Sequence, residues 1–159
     1  MRKGFPSWLE IAIFAYCLIQ ARDLPTSWLT APAVRYGWVA FLIWFLPVLL
    51  YVGLTALRSG DKRSTPLFLV GAILLSLIGV MGSLNILKHS GLALACAGLL
   101  PFSWPVLVWL PASIAWMPGF GWLMKAMPFQ LIVVMQLAIT TLASWVLIQC
   151  NRRRWLHYE

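Results

Sequence analysis

The stretch from Ala95 to Phe120, ACAGLLPFSWPVLVWLPASIAWMPGF, is almost wholly apolar, yet four prolines interrupt it. A proline inside a helix removes a backbone donor and crowds the carbonyl group four residues earlier. In an apolar surrounding without water, that freed carbonyl must find another partner. The stretch therefore folds either as one kinked helix packed inside protein or as two short helices joined by a turn, and this choice decides the topology of the chain.

The composition is typical of an integral membrane protein. Of the 159 residues, 62% are hydrophobic and 10% are charged, and the mean hydropathy is +0.86, which is far from the balance of a soluble domain. The apolar runs leave no polar block of domain length. We therefore expect a single all-α transmembrane bundle over residues 1–159, with about six short-to-full spans, or four as the alternative.

The N-terminal segment, MRKGFPSWLEIAIFAYCLIQ, has the basic start and short apolar run of a signal peptide. Ala-Arg-Asp follows it, however, where a cleavage site would need small residues. We interpret the segment as a membrane helix from Trp8 to about Gln20. Ser7 and Glu10 fit a capping box, in which each side chain bonds to the backbone amide of the other, and this explains an acidic residue at the start of an apolar helix.

Three further runs are predicted to be full spans. The first of these, Tyr36–Leu57, has 22 uncharged residues and includes Pro47, at which we expect a kink. The segment before it, Ala21 to Arg35, has mixed polarity and two prolines, which indicates an interfacial loop with Trp28 near the lipid head groups. The predicted spans are Tyr36–Leu57, Leu67–Leu87 and Phe129–Ile148.

Small residues recur at helical spacing in the middle of the chain and predict a helix–helix interface. Because their side chains are short, a neighbouring helix can approach closely, and we expect this packing within the chain rather than between two copies. The residues are Ala72, Ser76, Gly79 and Ser83 in one segment and Gly91, Ala95 and Gly98 in the next.

The final predicted span carries a polar stripe. Gln136, Thr140 and Ser144 follow one another at steps of four residues, which places them on one helix face. Polar residues at this spacing usually bond to adjacent helices. The alternative is that they line a path for a substrate.

Charge restricts the topology without deciding it. The chain crosses the membrane six times if the first helix spans it and the proline-rich segment 91–118 is broken into two short helices. It crosses four times if the first helix lies in the interface and the segment is one kinked helix. Each model places both termini and eight of the twelve cations in the cytoplasm, so the positive-inside rule cannot choose. In the six-crossing model these are Arg2, Lys3, Arg58, Lys62, Arg63 and Arg152–Arg154.

The same features indicate partners and cofactors. The net charge of +8 lies beside apolar runs rather than in a basic patch laced with aromatic residues, which favours anionic lipid head groups over nucleic acid as partners. Cys17, Cys96 and Cys150 are scattered, without metal-ligand or disulfide spacing. His89 and His157 have no partner at the spacing of axial haem ligands. We expect no metal and no cofactor.

Three segments carry a resemblance to a known family: RYGWVAFLIWFLPVLL (Arg35–Leu50), HSGLALACAGLL (His89–Leu100) and the run from Trp104 to Leu147. Together they resemble the amino-terminal half of the exosortase/archaeosortase family of membrane cysteine peptidases and transpeptidases. The last segment is similar to that family's apolar run ending in a proline turn, followed by a linker and a Pro-headed helix. The resemblance implies the two-helix form of the proline-rich stretch and therefore six spans.

The catalytic half of that family is not represented in the chain. An alternative alignment places Cys96–Leu99 on the family's Cys-Ser-Gly-Leu-Arg type motif, Asn151–Arg154 on its Asn-x-x-Arg pattern and His157 on its histidine, but Leu100 replaces the arginine of the cysteine motif. A reactive thiolate also needs a neighbouring cation or histidine, and none lies near Cys96 in sequence.

We therefore expect a non-catalytic scaffold or accessory subunit that packs with a second membrane protein, in the bacterial inner membrane. The alternatives are a membrane cysteine peptidase or transpeptidase of exosortase type and a small transporter or channel.

Overall fold

The computed structural model describes residues 7–57 and 65–156, and these residues form helices and turns without any strand. The prediction of an all-α fold is thereby confirmed for this part of the chain. Two 3-10 segments accompany the α-helices, Pro32–Val34 before α3 and Leu110–Ala115 as the continuation of α6. The α-helices are α1 (Ser7–Gln20), α2 (Leu24–Thr30), α3 (Gly37–Leu57), α4 (Pro66–Met81), α5 (Asn85–Gly98), α6 (Trp104–Trp109), α7 (Gly119–Leu123) and α8 (Phe129–Leu156).

Helix α5 is the central helix of the bundle. From Gly91 to Gly98 every residue except Leu94 is buried, so the helix is enclosed on all sides. Its sequence there, GLALACAG, is composed mainly of small residues, and these allow α1 and α4 to pack closely against it.

Contacts at the two ends of the bundle define the direction of each helix. At one end, Asp23, just after α1, bonds to His89 near the start of α5, and Trp28 of α2 bonds to the carbonyl group of Trp116; we call this the Asp23 end. At the other end, the hydroxyl group of Thr65 donates to the carbonyl oxygen of Leu100 at 2.9 Å; we call this the Thr65 end.

Successive long helices alternate between these two ends. Within the described residues, α1, α4 and α6 with its 3-10 continuation run toward the Asp23 end, and α3, α5 and α8 run toward the Thr65 end. The rings of Tyr36 and Phe129 lie 6.3 Å apart, so α3 and α8 begin at the same end of the bundle. The two short helices α2 and α7 both lie at the Asp23 end.

The proline-rich stretch is broken into two helices, as the six-span interpretation requires. Helix α5 ends at Gly98, and α6 begins at Trp104 after a turn that includes Pro101. Pro105 and Pro111 lie in the first two positions of α6 and of its 3-10 continuation, and Pro118 directly precedes α7. A proline in the first turn of a helix costs little, because the N–H that it lacks has no acceptor within that helix.

Other predicted boundaries were wrong. Helix α4 ends at Met81 rather than Leu87, because a turn separates it from α5. In that turn Ser83 has a φ of 54° and the amide of Leu84 donates to the carbonyl oxygen of Gly79 at 2.8 Å, which is the pattern of a Schellman helix end. Ser83 is exposed there and does not belong to the small-residue interface.

The segment between α1 and α3 also differs from its prediction. Ala21–Arg35 is not an irregular loop, since it contains α2 and the 3-10 segment Pro32–Val34. Trp28 does not point toward head groups, because its side chain is buried. Glu10 is 5% exposed; the side chain of Ser7 lies outside the described part of the chain, so the capping box stays a prediction.

Two helices are long and apolar enough to cross a membrane, over Gly37–Leu54 of α3 and Phe129–Arg152 of α8. Only 33% of the first window and 28% of the second are buried inside the protein. Most of the surface of each helix is therefore apolar and faces outward. Helix α4 is apolar as well but shorter.

The positive φ of Ser83 generates a stability prediction. Because a side chain is disfavoured in this left-handed conformation and glycine is not, we expect Ser83→Gly to raise the free energy of unfolding by about 1 kcal/mol. Ser27→Gly, inside the regular helix α2, is the matched control and should lower it by a similar amount. Unfolding in detergent measures both. A destabilised Ser83→Gly protein would contradict the assigned turn.

Candidate functional site

The residues of the alternative catalytic alignment are not assembled into a site in the described part of the chain. Cys96 is fully buried within α5, where a peptide substrate has no access to its thiol. The side chain of Arg154 and the whole of His157 lie outside the described residues. Asn151 is buried and donates to the carbonyl oxygen of Leu147 in its own helix at 3.1 Å.

The polar stripe of α8 faces the protein interior. Gln136, Thr140 and Ser144 are all buried, and each donates to a backbone carbonyl oxygen. Gln136 Nε2 bonds to Ala115 at 2.9 Å, and Ser144 Oγ bonds to Ile43 at 2.9 Å. Thr140 Oγ1 bonds to the carbonyl oxygen of Gln136 at 2.8 Å. These donors therefore join α8 to its neighbours or to itself instead of facing an open path.

The kink residue Pro47 explains why Ser144 is polar. Pro47 has no backbone N–H, so the carbonyl group of Ile43, four residues earlier in α3, lacks its usual helical donor. Ser144 of α8 supplies a hydroxyl donor to this carbonyl group. The serine thus compensates for the proline in a setting from which water is excluded.

Two buried tryptophans join α3 to α6. Trp44 Nε1 donates to the carbonyl oxygen of Trp109 at 3.0 Å, and Trp109 Nε1 donates to that of Trp44, also at 3.0 Å. Their rings are stacked, with centroids 4.0 Å apart and planes 3° from parallel. Both side chains are fully buried. The reciprocal bonds satisfy both indole donors, which removes the main cost of burying them.

Further aromatic side chains extend this pair toward the Asp23 end. The ring of Phe41 meets that of Trp116 edge-on, with centroids 5.1 Å apart, and Trp28 Nε1 donates to the carbonyl oxygen of Trp116 at 2.9 Å. Gly37 makes this possible, because a Cβ there would collide with the Trp28 indole and lie 3.1 Å from the Trp116 carbonyl oxygen. We call these residues, with the pair, the aromatic core: Trp28, Phe41, Trp44, Trp109 and Trp116.

The small residues singled out in the sequence lie between α4 and α5, with the exception of Ser83. A Cβ at Gly91 would collide with Ser76 Oγ and lie 2.9 Å from the carbonyl oxygen of Ala72. Ser76 Oγ also lies 3.4 Å from Cys17 Sγ of α1, so three helices meet at this point. The members that are buried here are Ala72, Ser76, Gly79, Gly91, Ala95 and Gly98.

The sequence analysis missed one polar contact, between Asp23 and His89. Asp23 Oδ2 and His89 Nε2 lie 3.0 Å apart, and their side chains are 31% and 4% exposed. The two residues are 66 positions apart, so no local motif marks them; only the alternation of helix directions brings them together. This contact joins the α1–α2 connection to the start of α5.

Within residues 7–57 and 65–156, no group of three or more His, Cys, Asp or Glu side chains is arranged to hold a metal ion. The polar groups described above act as joints between helices.

Comparison with known proteins adds no relative, since no protein-family model, no curated protein and no solved structure matches the chain. The resemblance to the exosortase/archaeosortase family therefore stays a prediction.

The packing of Gly91 predicts a large effect of a single methyl group. Because the added Cβ would press on the Ala72 backbone of α4, we expect Gly91→Ala to lower the free energy of unfolding by about 2 kcal/mol. Gly53→Ala in α3 is the control, since a Cβ there meets nothing within 4 Å; it should be neutral or slightly stabilising. Equal effects of the two substitutions in a detergent unfolding assay would refute this account.

The compensation of Pro47 by Ser144 predicts a non-additive pair. We expect Ser144→Ala alone to cost about 1 kcal/mol, because the Ile43 carbonyl group loses its donor. In a Pro47→Ala background the backbone amide restored at position 47 supplies that donor, and Ser144→Ala should cost much less. Thr141→Ala, at an exposed position of α8, controls for loss of a hydroxyl group. Additive effects would show that the two residues are not linked.

Proposed function

We propose that this chain is a non-catalytic integral membrane scaffold or accessory subunit. The observation that carries the proposal is the distribution of polarity, which is the reverse of that in a soluble domain. Gln136 and Thr140 of α8 are fully buried, whereas Leu142 of the same helix is 63% exposed. A helix that buries amide and hydroxyl groups while it exposes leucine side chains is stable in hydrocarbon and costly in water.

We further propose six membrane crossings, with both termini in the cytoplasm of a bacterium. The alternation of the six long helical runs between the Asp23 and Thr65 ends supports this number. The break between α5 and α6 supports it as well, since the four-crossing alternative needs one continuous kinked helix. The positive-inside rule then assigns the Thr65 end to the cytoplasm, because the six-crossing model places eight of the twelve cations of the sequence on that side.

The positions of two cysteine thiols and of the Ser76 hydroxyl group support the scaffold role. The thiol of Cys96 is enclosed in the central helix, and Ser76 Oγ contacts Cys17 at 3.4 Å. These groups stabilise helix contacts, which disfavours the peptidase alternative. The buried, bonded stripe of α8 likewise disfavours the channel alternative. An exosortase-like fold remains part of the proposal, because the broken proline-rich stretch is the form that the resemblance implies.

The proposal predicts that the chain occurs in the membrane with a second protein. We expect native mass spectrometry of lipid particles cut from the source membrane to show the 17.9 kDa chain at a fixed ratio with another integral membrane protein. The matched activity test is peptide hydrolysis by the isolated complex before and after Cys96→Ala, which should be identical. A solitary chain that hydrolyses a peptide, and loses this activity in Cys96→Ala, would contradict the proposal.

A further inference from the structure

Three short elements form a layer at the Asp23 end of the bundle. They are α2, the 3-10 segment Pro32–Val34 and α7, and the 3-10 segment contacts both helices. Each element turns at least one apolar side chain into the protein, since Leu24 and Trp28 of α2, Val34 of the 3-10 segment and Phe120 of α7 are all buried. We call this layer the end platform.

The outer side of the end platform is also apolar. Leu29 is 83% exposed, Trp122 is 75% exposed and Leu123 is 57% exposed. Leu29 directly follows the buried Trp28 and is rotated from it by about 100° around the helix axis, so α2 also presents an apolar side chain outward. Such exposure is unfavourable in water and favourable at the boundary between lipid head groups and acyl chains.

The position of the platform matches that boundary. The 3-10 segment directly precedes α3, and α7 lies shortly before α8, so the platform adjoins the starts of both candidate spans. The ring contact between Tyr36 and Phe129 places these two starts at the same end of the bundle. Head groups are the layer that a chain meets where an apolar span begins.

Charge at this end selects the kind of head group. The described cations at this end are Arg22, Arg35, Lys88 and Lys125. Acidic residues are scarce in the chain. Asp23 is the one acidic residue between Glu10 and Asp61, and the next acidic residue after Asp61 is Glu159. Asp23 already bonds to His89. Arg35 directly follows the 3-10 segment, Lys125 lies two residues after α7, and both are exposed. The platform is therefore bordered by cations that no described acidic side chain balances.

We propose that the end platform lies in the head-group layer and binds anionic phospholipid, with Leu29 and Trp122 at the acyl boundary and Arg35 and Lys125 on lipid phosphates. This inference rests on the proposed membrane location of the chain. The bound lipid belongs to the outer leaflet, on the side of the membrane opposite the cytoplasmic cations. In this proposal α2 and α7 contact lipid and do not bind a protein partner.

Depth measurements with nitroxide labels test the location. Labels are attached at Leu29→Cys, Trp122→Cys and, as an internal control, Leu142→Cys of α8, each in a Cys150→Ser background that removes the one exposed native thiol among the described residues. The protein is reconstituted into vesicles of phosphatidylcholine and phosphatidylglycerol. We expect the Leu142 label to be accessible to oxygen only, and the platform labels to be shielded from a water-soluble nickel complex.

The outcomes separate the two proposals. If the Leu142 label is reached by the nickel complex, the proposed membrane location fails. If that label is protected while those at Leu29 and Trp122 are fully accessible to nickel, the membrane location stands and the platform proposal is overturned.

Lipid selectivity tests the role of the cations. Spin-labelled phosphatidylglycerol should associate with the protein more strongly than spin-labelled phosphatidylcholine, and each platform cation should contribute up to about fivefold to that ratio. Arg35→Gln with Lys125→Gln should lower the ratio severalfold, while Lys88→Gln, which removes a half-buried cation bonded to Asn85, should leave it unchanged. A ratio of one in the unmodified protein, or an unchanged ratio in the double variant, would overturn the proposal.

Discussion

The bundle depends on the reciprocal contact between Trp44 of α3 and Trp109 of α6. Each indole donates to the backbone of the other helix, so the contact fixes the position of one helix along the other as well as their distance. It lies where α6 passes into its 3-10 continuation. One residue before Trp44, the carbonyl group left free by Pro47 accepts from Ser144 of α8. A single level of the structure thus joins three helices through backbone groups that a regular helix would satisfy internally.

The packing around α5 is stabilised by the close approach of neighbouring helices and not by large aromatic side chains. Helix α5 has almost no large side chains in its buried part, and Gly91 lets α4 come close enough that a methyl group would strike its backbone. Dispersion between closely spaced backbones is the contribution expected from such contacts. The Asp23–His89 contact then ties the α1–α2 connection to the start of this central helix.

The long uncharged run predicted helix α3, and the spacing of small residues predicted the close helix contact at Gly91. Both predictions agree with the structure because each follows from a local pattern. The sequence did not predict that Trp28 is buried, because the interfacial preference of tryptophan says nothing of the space that Gly37 opens. The end of α4 was missed because Ser83 and its neighbours carry no charge that would mark a turn. The Asp23–His89 contact depends on tertiary structure alone.

The central claim is that the helices alternate across a membrane, and labelling on intact cells tests it most directly. Single cysteines are introduced at Ser83, an exposed position of the turn between α4 and α5 at the Asp23 end, and at Ser59, which lies outside the described residues, in a Cys150→Ser background. The background protein without added cysteine is the control. The account predicts that a membrane-impermeant thiol reagent modifies Ser83→Cys on intact cells and Ser59→Cys only after the cells are opened. Modification of Ser59→Cys but not of Ser83→Cys on intact cells would contradict it and would support four crossings.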